Sequence, residues 1–89
     1  MGRQDEELTL TVSSYLTDRS GQRFVRVQFE RQGPHGMQVA EGLLPEGRIV
    51  RQDGYSPDEV EGLESYLKEH MGALLERART LSDPIRWLE

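Results

Sequence analysis

Apolar and polar residues alternate over residues 8–16. The odd positions carry hydroxyl groups, whereas most of the even positions are apolar. A period of two places every residue of one set on the same face of an extended chain. The segment therefore predicts a strand whose buried face consists of Leu8, Leu10, Val12 and Leu16.

A second alternating run covers residues 24–30, and the residues between the two runs favour a turn. Asp18 suits the first turn position and Gly21 the last, because Gly accepts positive φ. If residues 18–21 form the loop, Leu10 lies opposite Phe29 and Val12 opposite Val27. The apolar faces then coincide, which favours a hairpin independently of the turn.

The same register predicts a candidate binding surface on the face turned away from the core. It places Tyr15 opposite Phe24 and Ser13 opposite Arg26. Two aromatic rings beside an arginine can stack on bases or be buried against a protein. A simpler explanation remains open, since a cross-strand aromatic pair also stabilises a hairpin by itself.

A third strand is predicted over residues 37–44. Met37, Val39 and Leu43 share one face and are expected in the core. Glu41 has the same parity, a conflict that a β-bulge at Gly42 would relieve. A turn at residues 44–47 and a short edge strand over residues 48–52 follow.

Residues 56–59 give the strongest helix signal in the chain. Ser56 can cap, Pro57 suits the first helical position, and Glu59 can complete a capping box. Apolar residues then recur every three or four positions up to Leu81, which predicts one long helix. Beyond it, Trp87 either folds back over the open end of the core or serves as an exposed anchor for a partner.

Composition narrows the range of functions. The chain has 89 residues and a formal net charge of -5, which disfavours nucleic acid as a partner. The absence of cysteine excludes disulfides, thiolate catalysis and cysteine-based zinc sites. No apolar run is long enough to span a membrane and no signal peptide is recognisable, so we expect a cytoplasmic protein without membrane contact.

No catalytic or cofactor motif is present in the sequence. His35 lies in a predicted turn and His70 on the flank of the helical stripe, where ordinary surface roles explain both. The glutamates of the helix suggest a solvated acidic face, which lacks the opposed environments that catalytic carboxylates need. We therefore expect no enzyme activity, no cofactor and no metal.

One stretch carries a family resemblance. The sequence AEGLLPEG at residues 40–47, followed by GYSPDEV at residues 54–60 and the helix, resembles small uncharacterised bacterial domains associated with mobile elements. The resemblance covers about half the chain, and it implies that strands precede one helix. It implies no activity.

Together these patterns predict a single α+β domain over residues 1–89, with residues 1–6 disordered. An antiparallel meander of three or four strands is followed by one long C-terminal helix packed on one sheet face. The function expected is a non-enzymatic protein-interaction module that binds a protein partner or itself. The alternative is a nucleic-acid-binding domain that uses the outer face of the first hairpin. The candidate binding residues are Ser13, Tyr15, Phe24, Arg26 and Trp87.

Overall fold

The computed structural model describes residues 8–82, in which an antiparallel sheet of five strands precedes two helices. The strands are β1 (Leu8–Val12), β2 (Leu16–Thr17), β3 (Arg23–Gly33), β4 (Gly36–Leu44) and β5 (Arg48–Asp53), and the helices are α1 (Pro57–Glu69) and α2 (Met71–Ser82). The sheet order is β1-β3-β4-β5, and β2 also pairs with β3. The α+β class and the order of strands before helices are confirmed.

The predicted register of the first hairpin is confirmed over β1. Leu10 lies opposite Phe29 and Val12 opposite Val27. The turn is closed where expected, since the Gly21 N–H donates to the Asp18 carbonyl and Gly21 has a φ of 91°.

The register shifts by one residue after Ser13, which the alternation does not predict. Leu16, not Tyr15, lies opposite Phe24. The shift begins at Ser13, whose hydroxyl oxygen accepts the Arg26 N–H at 2.9 Å in place of a strand carbonyl. The predicted pairing of Tyr15 with Phe24 is therefore wrong, because one extra residue separates β1 from β2.

The buried face of β4 is the opposite of the one predicted. Ala40 and Leu44 are fully buried, whereas Met37 is 55% exposed. Gly42 shares this face, and α1 packs so close to it that an added Cβ atom would lie 2.6 Å from Cδ1 of Leu67. Glu41 consequently points to the outer face, and its predicted conflict with the core does not arise.

The irregularity expected near Gly42 lies in the neighbouring strand. Glu41 pairs with Arg51 and Gly42 with Ile49, so Val50 is the extra residue of a bulge in β5. The pairing of β4 with β3 continues without a shift through Gly42. The bulge therefore turns Ile49 toward the core without changing the faces of β4.

The helical region begins as predicted but is divided. Ser56 caps α1, with its hydroxyl accepting the Glu59 N–H and the Glu59 carboxylate accepting the Ser56 N–H. The prediction of one long helix is wrong, because the backbone of His70 leaves helical values at φ -110° and ψ 18°. The apolar stripe nevertheless continues across this break, and Leu67, Leu74 and Ala78 are all buried.

Both helices cover the same face of the sheet. α1 contacts β4 and β5, and α2 contacts β1. The core between the sheet and the helices consists of Val12, Val25, Val27, Phe29, Ala40, Leu44, Tyr55, Leu63, Leu67, Leu74 and Ala78.

No helix among residues 8–82 combines the length and the apolar character needed to cross a membrane. The expected disorder of residues 1–6 and the placement of Trp87 lie outside the described residues.

Candidate functional site

The sheet face opposite the helices is a candidate surface in the described part of the chain. We call it the outer face. Its members alternate with the buried residues of each strand and follow from the pairing registers. They are Thr9, Thr11, Phe24, Arg26, Gln28, Glu30, Met37, Val39, Glu41, Leu43, Arg48, Arg51 and Asp53.

Glu41 organises the charges at the centre of the outer face. One of its carboxylate oxygens lies 2.9 Å from Nε of Arg26, and the other lies 3.3 Å from an Arg51 guanidinium nitrogen. The Glu41 side chain is only 18% exposed, so it is partly shielded between the two arginines. One anion on β4 is therefore paired with two cations, one on each neighbouring strand.

The outer face as a whole is balanced in charge. Its three arginines are accompanied by the carboxylates of Glu30, Glu41 and Asp53. Apolar side chains, among them Val39 and Leu43, lie between the charged rows. Charges of both signs around apolar residues are ordinary at protein interfaces, whereas phosphate binding favours an excess of cations.

A depression of about 500 Å³ lies at one end of the outer face, between the turn after β2 and the turn after β4. Phe24, Leu43 and Pro45 give it an apolar wall. Charged side chains of both signs line it as well, namely Asp18, Arg23 and Glu46. Its size suits one or two side chains of a partner.

Asp18 holds the turn at the edge of this depression. One of its oxygens accepts from the Ser20 hydroxyl, the Ser20 N–H and the Gln22 N–H, each at 2.9 Å. The Ser20 hydroxyl, followed by the Gln22 N–H, holds the pKa of Asp18 below its ordinary value. The carboxylate therefore stays negative beside the depression at neutral pH.

The structure separates the two aromatic rings that the sequence placed together. Phe24 lies on the outer face, whereas Tyr15 packs against the core. The Arg23 guanidinium lies 4.6 Å from the centre of the Tyr15 ring, a cation–π contact. An aromatic pair on one face is thus absent at these two positions.

The polar candidates of the first hairpin also have structural partners. The Ser13 hydroxyl accepts the Arg26 N–H and donates to the Ser14 carbonyl at 2.7 Å. The side chain of Arg26 is bound to Glu41. Both residues remain candidates for binding, and Trp87 lies outside the described residues.

Sequence reasoning missed a second polar cluster, on the helix side of the sheet. The guanidinium of Arg31 donates to both oxygens of Glu59, at 2.9 and 3.0 Å, and its Nε donates to Gln38. It also lies 4.4 Å from the centre of the Tyr55 ring. The alternation of β3 could have indicated it, because Arg31 falls on the same face as the buried residues Val25, Val27 and Phe29.

This cluster shifts two pKa values. Hydrogen bonds from Arg31 lower the pKa of Glu59 to about 2. Burial raises the pKa of the Tyr55 hydroxyl. The bidentate pair joins the start of α1 to the end of β3, which indicates a structural role.

The two histidines lie in different parts of the fold. His35 is exposed in the two-residue turn between β3 and β4. His70 is exposed between the helices, where its ring lies 4.3 Å from the centre of the Tyr66 ring. Among residues 8–82, no three His, Asp or Glu side chains come together in a group able to hold a metal ion.

Comparison of the chain with profiles of known protein families, with curated proteins and with solved structures finds no match in any of the three.

Proposed function

We propose that this chain is a small non-enzymatic protein-interaction module that contacts its protein partner through the outer face. The observation that carries the proposal is a charge-balanced sheet face that neither helix of residues 8–82 covers, because both pack on the opposite side. A sheet with one bare face commonly leaves that face to solvent or to a partner. Here the bare face carries apolar side chains between paired charges.

The depression at Phe24 supplies the anchor position for such a contact. Interfaces derive most of their binding energy from a few side chains that enter well-packed pockets. The apolar wall of Phe24, Leu43 and Pro45 favours an apolar side chain of the partner. Asp18, Arg23 and Glu46 would form the polar rim around this anchor position.

The charges near this depression favour a protein over a nucleic acid. Asp18 and Glu46 repel phosphate, and the lowered pKa of Asp18 keeps its charge in place. Arg26 and Arg51 already neutralise Glu41. The nucleic-acid interpretation would have to break these ion pairs before the arginines could contact phosphates.

The test uses Leu43→Glu, which places a charge in the wall of the depression, and Ala73→Glu as a matched control on the exposed side of α2. The tagged full chain is used to isolate its partner from the cells that produce it, and the affinity for the purified partner is then measured by calorimetry. We expect Leu43→Glu to weaken binding by about tenfold or more, because a buried unpaired charge is costly. Ala73→Glu should leave the affinity unchanged. Equal binding by both variants would contradict a contact through the outer face.

A parallel gel-shift experiment tests nucleic acid. Random single-stranded oligonucleotides at low salt should not bind. If Arg19, Arg23 and Arg26 held three phosphates, affinity would fall with salt at a log–log slope of about -2. Micromolar binding that Arg26→Glu abolishes would overturn the protein-interaction proposal.

A further inference from the structure

The two edges of the sheet differ in how well they are protected from pairing with another strand. β1 and β5 are the terminal strands in the sheet order. An unprotected edge presents free N–H and C=O groups and tends to recruit a further strand. Natural sheets block such edges with charges, prolines, bulges or covering side chains.

The β5 edge has three of these protections. Arg48, Arg51 and Asp53 place charges along it, and Val50 forms a bulge. In addition, the Glu64 carboxylate of α1 accepts the Ile49 N–H at 2.9 Å. A strand that approached β5 would meet a distorted and partly occupied edge.

Within residues 8–82, the β1 edge shows none of these protections. Its sequence, LTLTV, contains no charge, no proline and no glycine, and β1 pairs with β3 without a register shift. Leu8 of β1 is 47% exposed, and Tyr66 of α1, 39% exposed, packs edge-on against Phe29, the residue opposite Leu10. Leu8, Gly62 and Leu63 line a groove of about 310 Å³ between β1 and α1, with the ion pair of Arg31 and Glu59 at its side. The flank of β1 is therefore partly apolar.

The hydrogen-bond pattern shows which residues of β1 face outward. Ser13 continues the register of β1, and its N–H donates to the Arg26 carbonyl. In an antiparallel ladder alternate residues bond to the same neighbour, so Thr9 and Thr11 also direct their backbone groups toward β3. The backbone groups of Leu8, Leu10 and Val12 therefore point toward the open edge.

We propose that β1 pairs antiparallel with β1 of a second copy of this chain, with Leu10 opposite Leu10 and Leu8 opposite Val12. In this register every outward-facing residue meets an outward-facing residue, so the backbone groups are matched. The apolar side chains of both copies lie on the helix side, and Thr9 lies opposite Thr11 on the outer face. LTLTV is self-complementary in this arrangement, which is the property that a two-fold interface requires.

This proposal goes beyond the partner contact proposed for the outer face and does not rest on it. The net charge of -5 opposes self-association in general, but β1 itself is uncharged. Self-association of the purified chain is its readout, whereas the outer-face function is read from capture of a different protein. Either proposal can therefore fail alone.

The first experiment is analytical ultracentrifugation of the full chain and two double variants. Thr9→Lys with Thr11→Lys places like charges opposite each other across the interface, whereas Thr9→Lys with Thr11→Glu places opposite charges there. We expect the wild type to dimerise, the first variant to raise the dimer Kd by about tenfold or more, and the second to retain the dimer. Circular dichroism confirms that both variants are folded.

The second experiment fixes the register by cross-linking, for which the absence of native cysteine is convenient. Thr9 and the opposite Thr11 form a non-hydrogen-bonded pair with Cα atoms about 4.5 Å apart, within reach of a disulfide. Two Thr9 residues lie diagonally, at about 7–8 Å. Mixing Thr9→Cys protein with Thr11→Cys protein under oxidation should therefore give the mixed disulfide dimer in preference to either homodimer.

Three outcomes would overturn the proposal. The chain remains a monomer at its highest soluble concentration, which would leave β1 to another strand or to another part of this chain. The dimer persists equally in both lysine variants, which would place the interface elsewhere. The homodimeric disulfides predominate, which would contradict the register.

Discussion

Leu67 of α1 occupies the space that a side chain at Gly42 of β4 would need. A Cβ atom on Gly42 would lie 2.6 Å from Cδ1 of Leu67 and 3.2 Å from Cδ1 of Ile49. Real Cβ atoms do not approach so closely, so the helix reaches the sheet because Gly42 has no side chain. The glycine that the sequence suggested as a bulge is instead a packing residue.

Gly42→Ala should destabilise the fold by about 1–3 kcal/mol, because the added methyl group overpacks the contact between α1 and β4. Urea unfolding measures the change. In the Leu67→Ala background the same substitution should cost less, since the clashing atom is gone, and the double-mutant cycle gives the coupling. Equal costs in both backgrounds would show that another neighbour, such as Ile49, limits the space.

Leu67→Ala alone should cost about 2–4 kcal/mol, because Leu67 is fully buried at the centre of the helix–sheet interface. Ser56→Ala, which removes only a helix cap, should cost about 1 kcal/mol and serves as the comparison. Thermal or urea unfolding of both variants ranks the two effects. A smaller loss for Leu67→Ala than for Ser56→Ala would contradict the packing of α1.

The pair of Arg31 and Glu59 should make stability depend on pH. The folded-state pKa of Glu59 is depressed from 4.5 to about 2, so the folded chain binds this proton less readily than the unfolded chain. The stabilisation is therefore complete above about pH 4.5 and is lost as pH falls toward 2. Glu59→Gln keeps the capping geometry but should remove this dependence.

At neutral pH the cost of Glu59→Gln should be about 1 kcal/mol or less, because the Glu59 side chain is 42% exposed and water screens the pair. Urea unfolding of both proteins at a series of pH values measures the difference. Parallel curves between pH 4.5 and 2 would show that the ion pair contributes nothing in solution.

Gly62→Ala should stabilise the protein by about 0.5–1 kcal/mol, because glycine within a helix is unfavourable and a Cβ atom there meets nothing within 4 Å. Thermal unfolding provides the measurement. A loss of stability would show that the groove beside Leu8 is filled in solution.

Tyr15→Ala and Phe24→Ala should differ in their effects on stability and on partner binding. Tyr15 packs against the core and under Arg23, so its removal should cost about 2 kcal/mol of stability. Phe24 lies on the outer face, so Phe24→Ala should reduce stability less than Tyr15→Ala does and should weaken partner binding more. Comparing unfolding with calorimetric binding separates the two roles.

The sequence predicted those parts of the fold that depend on local chemistry. The capping box at Ser56 and the turn at Asp18 follow from residues a few positions apart, and both are present. The pairing of Leu10 with Phe29 followed from matching two regular alternations. These features do not depend on distant parts of the chain.

The incorrect predictions concern features that depend on contacts between distant parts of the chain. Ala40 and Gly42 face the core, where α1 lies close to Gly42, and apolar alternation cannot show this proximity. The extra residue after Ser13 is accommodated by a side-chain hydrogen bond across to Arg26. The candidate site depended on that register. The one-residue shift places Tyr15 and Phe24 on different faces of the sheet, and the outer face is organised around Glu41 instead.

The hydrogen bond between Glu64 and the Ile49 N–H also bears on how many chains the proposed β1 pairing can join. If two chains join through β1, each uses the one edge that is unprotected within residues 8–82, and both ends of the joined sheet are β5 strands. Such an assembly has closed two-fold symmetry, whereas a sheet with two open edges could add chains indefinitely and form a fibre. In the proposed dimer, the number of subunits would thus be determined by an edge that takes no part in the interface.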